Sequence, residues 1–266
     1  MNDASETTLE SVATDGRATA WITRMWEGDD AARWAAVNFT SVAALARLVD
    51  EHGGMGEGVH TFFALHDEAA GRAARQGAGF ESVRNQNRLM LECVSEGVSE
   101  GVSEGATRDL DVRTAGAWSP ALRALFAAVP PGSQARRIRD EAWYVARLEQ
   151  DEALVVARGD QLVGFASARS MDLAGERALW VCDWLVQDDE AARALSAALV
   201  ARASHGARVG WILPDTVPDW IRLQRLGARI EPTPWFLDVK TASRRTTDRW
   251  LHQNWAYSLA DFPGLA

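Results

Sequence analysis

The chain has 266 residues, 47% of them hydrophobic, with twelve Trp and a formal net charge of −9. An apolar share of this size supports the core of one large domain or two small ones. The acidic balance excludes a nucleic-acid role, which needs a basic stripe, and gives no attraction to an anionic membrane surface.

Met1 to Arg17 is polar, and no apolar run is long enough to span a bilayer, so neither a signal peptide nor a membrane span is expected. Cys93 and Cys182 lack metal or redox spacing and read as free thiols. His52, His60, His66, His205 and His252 also lack ligand spacing, so no metal is expected. These features together predict a cytoplasmic protein.

In chain order, Ala18 to Met25 reads as a strand, after which Asp29 or Asp30 is placed to cap a helix. Trp34, Val37, Ser41, Leu45 and Leu48 recur along it at helical spacing, and Gly53-Gly54 stops it. Val59 to Leu65 is predicted as a strand, Asp67 to Gln76 as a short helix and Asn87 to Glu92 as a closing strand. Three tandem copies of Val-Ser-Glu-Gly over residues 94–105 read as a flexible, solvated linker.

Beyond the linker, Ser119-Pro120 starts a helix, with Ser as N-cap and Pro at the first helical position. Gln134 to Gln150 is predicted as a second helix, with Ile138, Ala142, Val145 and Leu148 on one side. Gly159-Asp160 joins two apolar runs, Ala153 to Arg158 and Gln161 to Ala168, as a β-hairpin. Ala178 to Val186, Val209 to Leu213 and Trp235 to Lys240 read as strands, separated by helices over Glu190 to Ser204 and Pro218 to Arg225. The expected class is α/β with a mixed sheet.

The chain also repeats itself. Trp21 to Arg33 matches Trp180 to Arg193, the first carrying Asp-Asp-Ala-Ala-Arg and the second Asp-Asp-Glu-Ala-Ala-Arg, and Arg75-Gln76-Gly77-Ala78 matches Arg225-Leu226-Gly227-Ala228. A repeat of this kind means one supersecondary unit used twice.

The element order, with Leu162-Val163-Gly164-Phe165-Ala166, Cys182-Asp183-Trp184-Leu185-Val186 and Leu223-Gln224-Arg225-Leu226-Gly227-Ala228, resembles the GNAT superfamily of acyl-CoA-dependent N-acyltransferases. The resemblance implies a GNAT-like mixed central sheet flanked by helices, duplicated as a partial N-terminal copy and a fuller C-terminal one. The boundaries it suggests are a partial domain over 1–92, the linker over 93–106, a domain over 107–240 and a tail over 241–266 that adds a strand.

The implied activity is transfer of an acetyl group from acetyl-CoA, as co-substrate, to the amine of a small molecule or peptide. In that resemblance Trp184, Leu185, Val186, Gln187, Ala191, Ala192 and Arg193 hold the cofactor. Asp183 and Glu141 are the candidate bases, and Tyr144 is a candidate acid with an equally good structural reading. The family's acid-tyrosine position falls on Leu223 and on Ala73, neither of which can donate a proton.

The family's phosphate loop, rich in glycine, is replaced here by Gln187-Asp188-Asp189-Glu190. Three carboxylates near a helix N-terminus satisfy the dipole themselves and repel a phosphate. The competing expectation is therefore a catalytically silent GNAT-like module that binds a ligand or protein partner. Homodimerisation is left open by the sequence.

Overall fold

The computed structural model describes residues 8–27, 30–93, 109–128, 135–173, 175–203, 207–242 and 246–262. The Val-Ser-Glu-Gly repeats and Asp29 lie outside these residues.

Strand β1 (Thr8–Ala13) turns at Gly16 into β2 (Gly16–Glu27), and β2 pairs antiparallel with β3 (Asp30–Phe39) from Ala18↔Phe39 to Glu27↔Asp30. The helix expected from Asp30 onward is thus a strand over Trp34 and Val37. Asp-Ala-Ala-Arg favours a helix locally, but full-length pairing with β2 buries Trp34 and overrides that preference. The helix begins twelve residues later. Ser41 is its N-cap, its Oγ accepting from the Ala44 N–H at 3.1 Å, and α1 (Val42–His52) buries Ala44, Leu45, Leu48 and Val49 as one stripe.

β4 (Thr61–Asp67) leads into α2 (Glu68–Ala78), capped by Asp67. Gly79 ends α2 with φ +70°, a left-handed conformation that suits glycine. The helix thus runs two residues beyond the expected end at Gln76. β5 (Glu81–Glu92) is longer than expected.

β6 (Leu110–Thr114) precedes α3 (Pro120–Ala127), whose cap is the expected Ser119, accepting from the Leu122 N–H. Residues 135–150 are not one helix. β7 (Ala135–Arg137) comes first, and Asp140 then caps α4 (Glu141–Gln150). The face of α4 differs too: Tyr144 and Arg147 are buried, whereas Val145 is 46% exposed.

β8 (Glu152–Arg158) and β9 (Gln161–Leu173) form the expected hairpin, with Gly159 at φ +59°. β10 (Glu176–Val186), α5 (Asp189–Arg202), β11 (Arg208–Trp211), α6 (Pro218–Arg225) and β12 (Arg229–Thr241) follow. The chain then forms α7 (Asp248–Asn254), β13 (Trp255–Ala256) and a 3₁₀ turn at Leu259–Asp261.

The chain divides into two compact units. The first holds the described residues up to Asn87, 135–138 and those from Pro232 onward. The second holds the described residues of 88–131 and 139–231.

In the first unit the strands run β13-β7-β2-β3-β4-β12, with β1 also on β2. The β3–β4 and β13–β7 pairs are parallel and the others antiparallel. Helices α1 and α2 pack on Ala20, Ile22, Ala35, Val37 and Phe62. Trp34, Phe63, Trp255, Tyr257 and Phe262 form an edge-to-face aromatic cluster, so the tail supplies core as well as a strand.

In the second unit the end of β5 pairs with β11, followed by β10, β9, β8 and β6. Only β10–β11 is parallel. α5 and α6 cover one core, around Leu195, Leu199, Trp211 and Leu223. α3 and α4 cover another, around Phe126, Tyr144 and Phe165. Each unit is thus a mixed sheet flanked by helices, with one parallel pair joined through a helix: β3-α1-β4 and β10-α5-β11.

Candidate functional site

In the second unit β10 and β11 pair from Leu179↔Val209 to Val181↔Trp211, and β10 then continues to Val186. A β-bulge lies where the pair ends. Val181 faces Ala168 and Asp183 faces Ser167, leaving Cys182 as the extra residue. The bulge changes the side-chain phase. Leu179, Val181, Trp184 and Val186 share the core under α5, whereas Leu185 belongs to the core under α3 and α4. The simple alternation that would put Trp180 and Trp184 on one face does not hold.

Asp183 is wholly buried, and Arg139 grips it with two hydrogen bonds of 2.6 Å. Tyr144 is also wholly buried, and its hydroxyl donates to the Gly116 carbonyl at 2.5 Å. Burial pushes the Tyr144 phenol above its ordinary value. Glu141 stands exposed in the first turn of α4. Asp183 and Tyr144 have their polar atoms engaged, while Glu141 faces solvent.

Trp184, Leu185, Val186, Ala191 and Ala192 are buried, Arg193 is half-buried and Gln187 is exposed. Trp184 meets Trp211 edge to face at 5.8 Å. Gln187 and Asp188 alone connect β10 to α5. Asp188 accepts from the Ala191 N–H at 2.8 Å. Arg158 binds Asp188 at 3.0 Å and Glu190 at 2.8 Å, and Arg222 binds Asp189 at 2.6 Å. Burial alone would raise the Asp188 carboxyl, but the Ala191 N–H and Arg158 outweigh it and hold the group below its ordinary value.

The start of a helix ordinarily offers free N–H groups and a positive dipole end to an anion. Here the protein's own carboxylates take that place, and arginines neutralise them. These residues do not fit the pyrophosphate of a CoA thioester, and no catalytic step is derived through it.

A second fork lies in the first unit. β3 and β4 pair from Trp34↔Thr61 to Ala36↔Phe63, and both strands continue past that point. A cavity of about 90 Å³ lies there, lined by Trp21, Phe39, Phe63 and Phe262 with two polar side chains, Asn38 and His66. A wider recess of about 430 Å³ shares Trp21, Asn38 and Phe39 with it and adds Arg17, Glu10 and Thr19.

His66 stands in a chain of charge-assisted contacts. Its Nε2 lies 2.9 Å from Asp238 Oδ2, and Asp238 accepts from Arg75 Nη1 at 2.7 and 3.0 Å. Antiparallel pairing explains the meeting, because Asp238 lies opposite Ala64 and Phe236 opposite His66, so Asp238 and His66 are diagonal neighbours on one face. Helix α2 delivers Gly71 and Arg75, one turn apart, to the same place. A Cβ on Gly71 would come 2.9 Å from Asp238 Oδ2 and 3.1 Å from His66 Nε2. The sequence reading missed this cluster, since 172 residues separate His66 from Asp238. The one local signal is a glycine and an arginine at i and i+4 after a strand whose penultimate residue is a histidine.

Among the described residues no group of three or more His, Cys, Asp or Glu could hold a metal ion, and no helix is long and apolar enough to cross a membrane.

The fold has counterparts among solved structures. A GCN5-related N-acetyltransferase from Kribbella flavida superposes with a TM-score of 0.52 at 18% identity, over 85% of this chain and 56% of that one. A second, from Anabaena variabilis, gives 0.54 at 13% identity over 86% and 63%. A conserved protein of unknown function from Enterococcus faecalis gives 0.52 at 11% identity over 85% and 59%. The chain therefore spans less than two thirds of the length of each. At these identities the likeness shows the fold, the GNAT type of mixed α/β sheet. No protein-family model and no curated protein matches the sequence.

Proposed function

We propose that this chain is a GNAT-fold module that binds a small ligand or a protein partner without transferring acyl groups from CoA. The observation that carries the reading is the start of α5, where Asp188, Asp189 and Glu190 occupy the anion position and Arg158 and Arg222 pair with them. Phosphate would have to displace three carboxylates and break their ion pairs. Unequal duplication belongs to the same reading: β3-α1-β4-α2 and β10-α5-β11-α6 run in one order, divided in sequence by the Val-Ser-Glu-Gly repeats. So does action in the cytoplasm, as a monomer or a homodimer.

A second reading is N-acetyl transfer from acetyl-CoA to the amine of a small molecule or peptide. The bulge at Cys182 favours it, because backbone groups released where two parallel strands part are suited to amide ligands such as pantetheine. Under this reading Glu141 is the carboxylate open to solvent. Asp183 and Tyr144 would act only after giving up Arg139 and Gly116.

Isothermal titration calorimetry with CoA and acetyl-CoA at millimolar concentration separates the two. The binding-module reading expects no saturable heat from the native protein. It expects CoA binding to emerge in the double variant Asp189→Gly/Glu190→Arg, which removes two of the three carboxylates from the anion position. Saturable binding of acetyl-CoA to the native chain, with acetyl transfer to an amine, would overturn it.

A further inference from the structure

Strand β6 is the outermost strand of the second unit. It pairs antiparallel with β8 from Leu110↔Arg158 to Thr114↔Leu154, and no other strand pairs with it among the described residues. On an outermost strand, the N–H and C=O groups that point away from its neighbour form a template for one more strand. Natural proteins blunt such edges with charge, most often lysine. β6 instead carries one charge of each sign. Asp111 and Arg113 lie two residues apart and so share a face, with side chains 67% and 62% exposed. Leu110 and Val112 lie on the other face, half-buried against the core under α5.

We propose that β6 pairs antiparallel with β6 of a second copy of this chain, continuing the sheet of the second unit across a two-fold axis. An axis of this kind keeps each face of the sheet on its own side, so it sets one residue of β6 opposite itself. Three interior residues can take that place. Centring on Asp111 sets Asp opposite Asp, and centring on Arg113 sets Arg opposite Arg, both of which are destabilising. Centring on Val112 sets Asp111 opposite the partner's Arg113 and, by symmetry, Arg113 opposite the partner's Asp111. Unlike charges directly opposite one another stabilise a strand pair. Within one chain Arg113 Nη1 is already 3.7 Å from Asp111 Oδ2, so the four groups alternate in sign around the contact. On the core face Val112 meets the partner's Val112 and covers apolar surface that one copy leaves half-exposed. The strand is only five residues long. Small interfaces are weak, and the dissociation constant is expected on the order of 10–100 μM. The inference holds with or without acyl transfer, so it does not rest on either reading of function.

Sedimentation velocity on the full chain, from about 5 to about 500 μM, brackets that range. The native protein is expected to shift from monomer toward dimer as concentration rises. Asp111→Arg makes the edge wholly positive, and Arg113→Asp makes it wholly negative. Each variant alone should dimerise at least about tenfold more weakly, because two attractive pairs become repulsive. Both side chains are exposed and their pairing within the chain contributes little, so both variants should melt close to the native protein. Mixed one to one, the two variants should dimerise again, since the positive edge then faces the negative one. Only a contact in which this strand meets itself is rescued in that way. A native protein that stays monomeric to the highest concentration overturns the proposal. So does a dimer unaffected by either variant, or a mixture that associates no better than its parts.

Discussion

Arg139 holds Asp183 with a planar fork of two hydrogen bonds, Nε to Oδ2 and Nη2 to Oδ1. Neither group has much access to water, the Asp183 side chain being 0% and the Arg139 side chain 12% exposed. Such a pair has given up most of its hydration and recovers it through mutual attraction, so its parts cannot be removed singly. Asp183→Ala strands the guanidinium and is expected to lower the unfolding free energy by about 3–5 kcal/mol. Urea denaturation measures this. The double variant Asp183→Leu/Arg139→Met should recover most of the loss. If Asp183→Ala leaves stability unchanged and abolishes a measured acetyl transfer, Asp183 is a base rather than a strut.

The same strand carries a thiol that should be inert. Burial pushes Cys182 up to about 12, and the nearby Asp151 carboxylate adds to the effect. Its reactive thiolate is therefore scarce at any pH near neutral. Cys93 is half-buried and also raised, by burial first and by Glu92 second. Titration with a chromogenic disulfide reagent at mildly alkaline pH should find at most one thiol, Cys93, reacting slowly in the native protein and two after unfolding. Rapid reaction of Cys182 in the native state would mean that the bulge opens to solvent.

Two carboxylates push the acid limb of stability one way, against the opposite pull of Asp219, which burial raises. Asp188 is held below its ordinary value as described. Glu231 is raised by burial but brought lower by Arg208 and Arg88. A depressed native pKa means that the unfolded chain binds more protons between the two values. The stabilisation is then complete above the ordinary carboxylate pKa of about 4 and disappears as pH falls through the native values. Urea midpoints taken downward from neutral pH should fall below that point. Glu231→Gln with Asp188→Asn should flatten the limb, Asn retaining the capping oxygen of α5.

What the sequence made legible was local. Ser119 before Pro120 and Gly159-Asp160 between apolar runs each act within a few residues, and each stands where it was expected. Where pairing at a distance decides, the local signal misleads. Asp30-Ala31-Ala32-Arg33 has the look of a helix start, yet β2 claims it as a strand and passes the cap to Ser41. The bulge at Cys182 reverses the face of Trp184, and only the register against β9 reveals it. The ionic contacts are further still: Arg139 lies 44 residues from Asp183, and Asp238 lies 172 from His66. A type of residue was visible at each position, but its partner was not.

Gly71 offers a test of how tightly the His66 cluster is built. The residue lies in α2, where alanine is ordinarily preferred to glycine by about 1 kcal/mol. On propensity alone Gly71→Ala should stabilise. The added methyl, however, would stand 2.9 Å from Asp238 Oδ2 and 3.1 Å from both Arg75 Nη1 and His66 Nε2. Arg75 can swing away, whereas Asp238 is fully buried on β12 and His66 is held within β4. Overpacking of this kind typically costs about 1–3 kcal/mol, which outweighs the helix term. Gly71→Ala is therefore expected to lower the melting temperature and to displace the His66 ring resonances, while Gln76→Ala on the exposed side of α2 should do neither. A more stable Gly71→Ala variant with unmoved His66 resonances would mean that the helix stands farther from the cluster than these distances say.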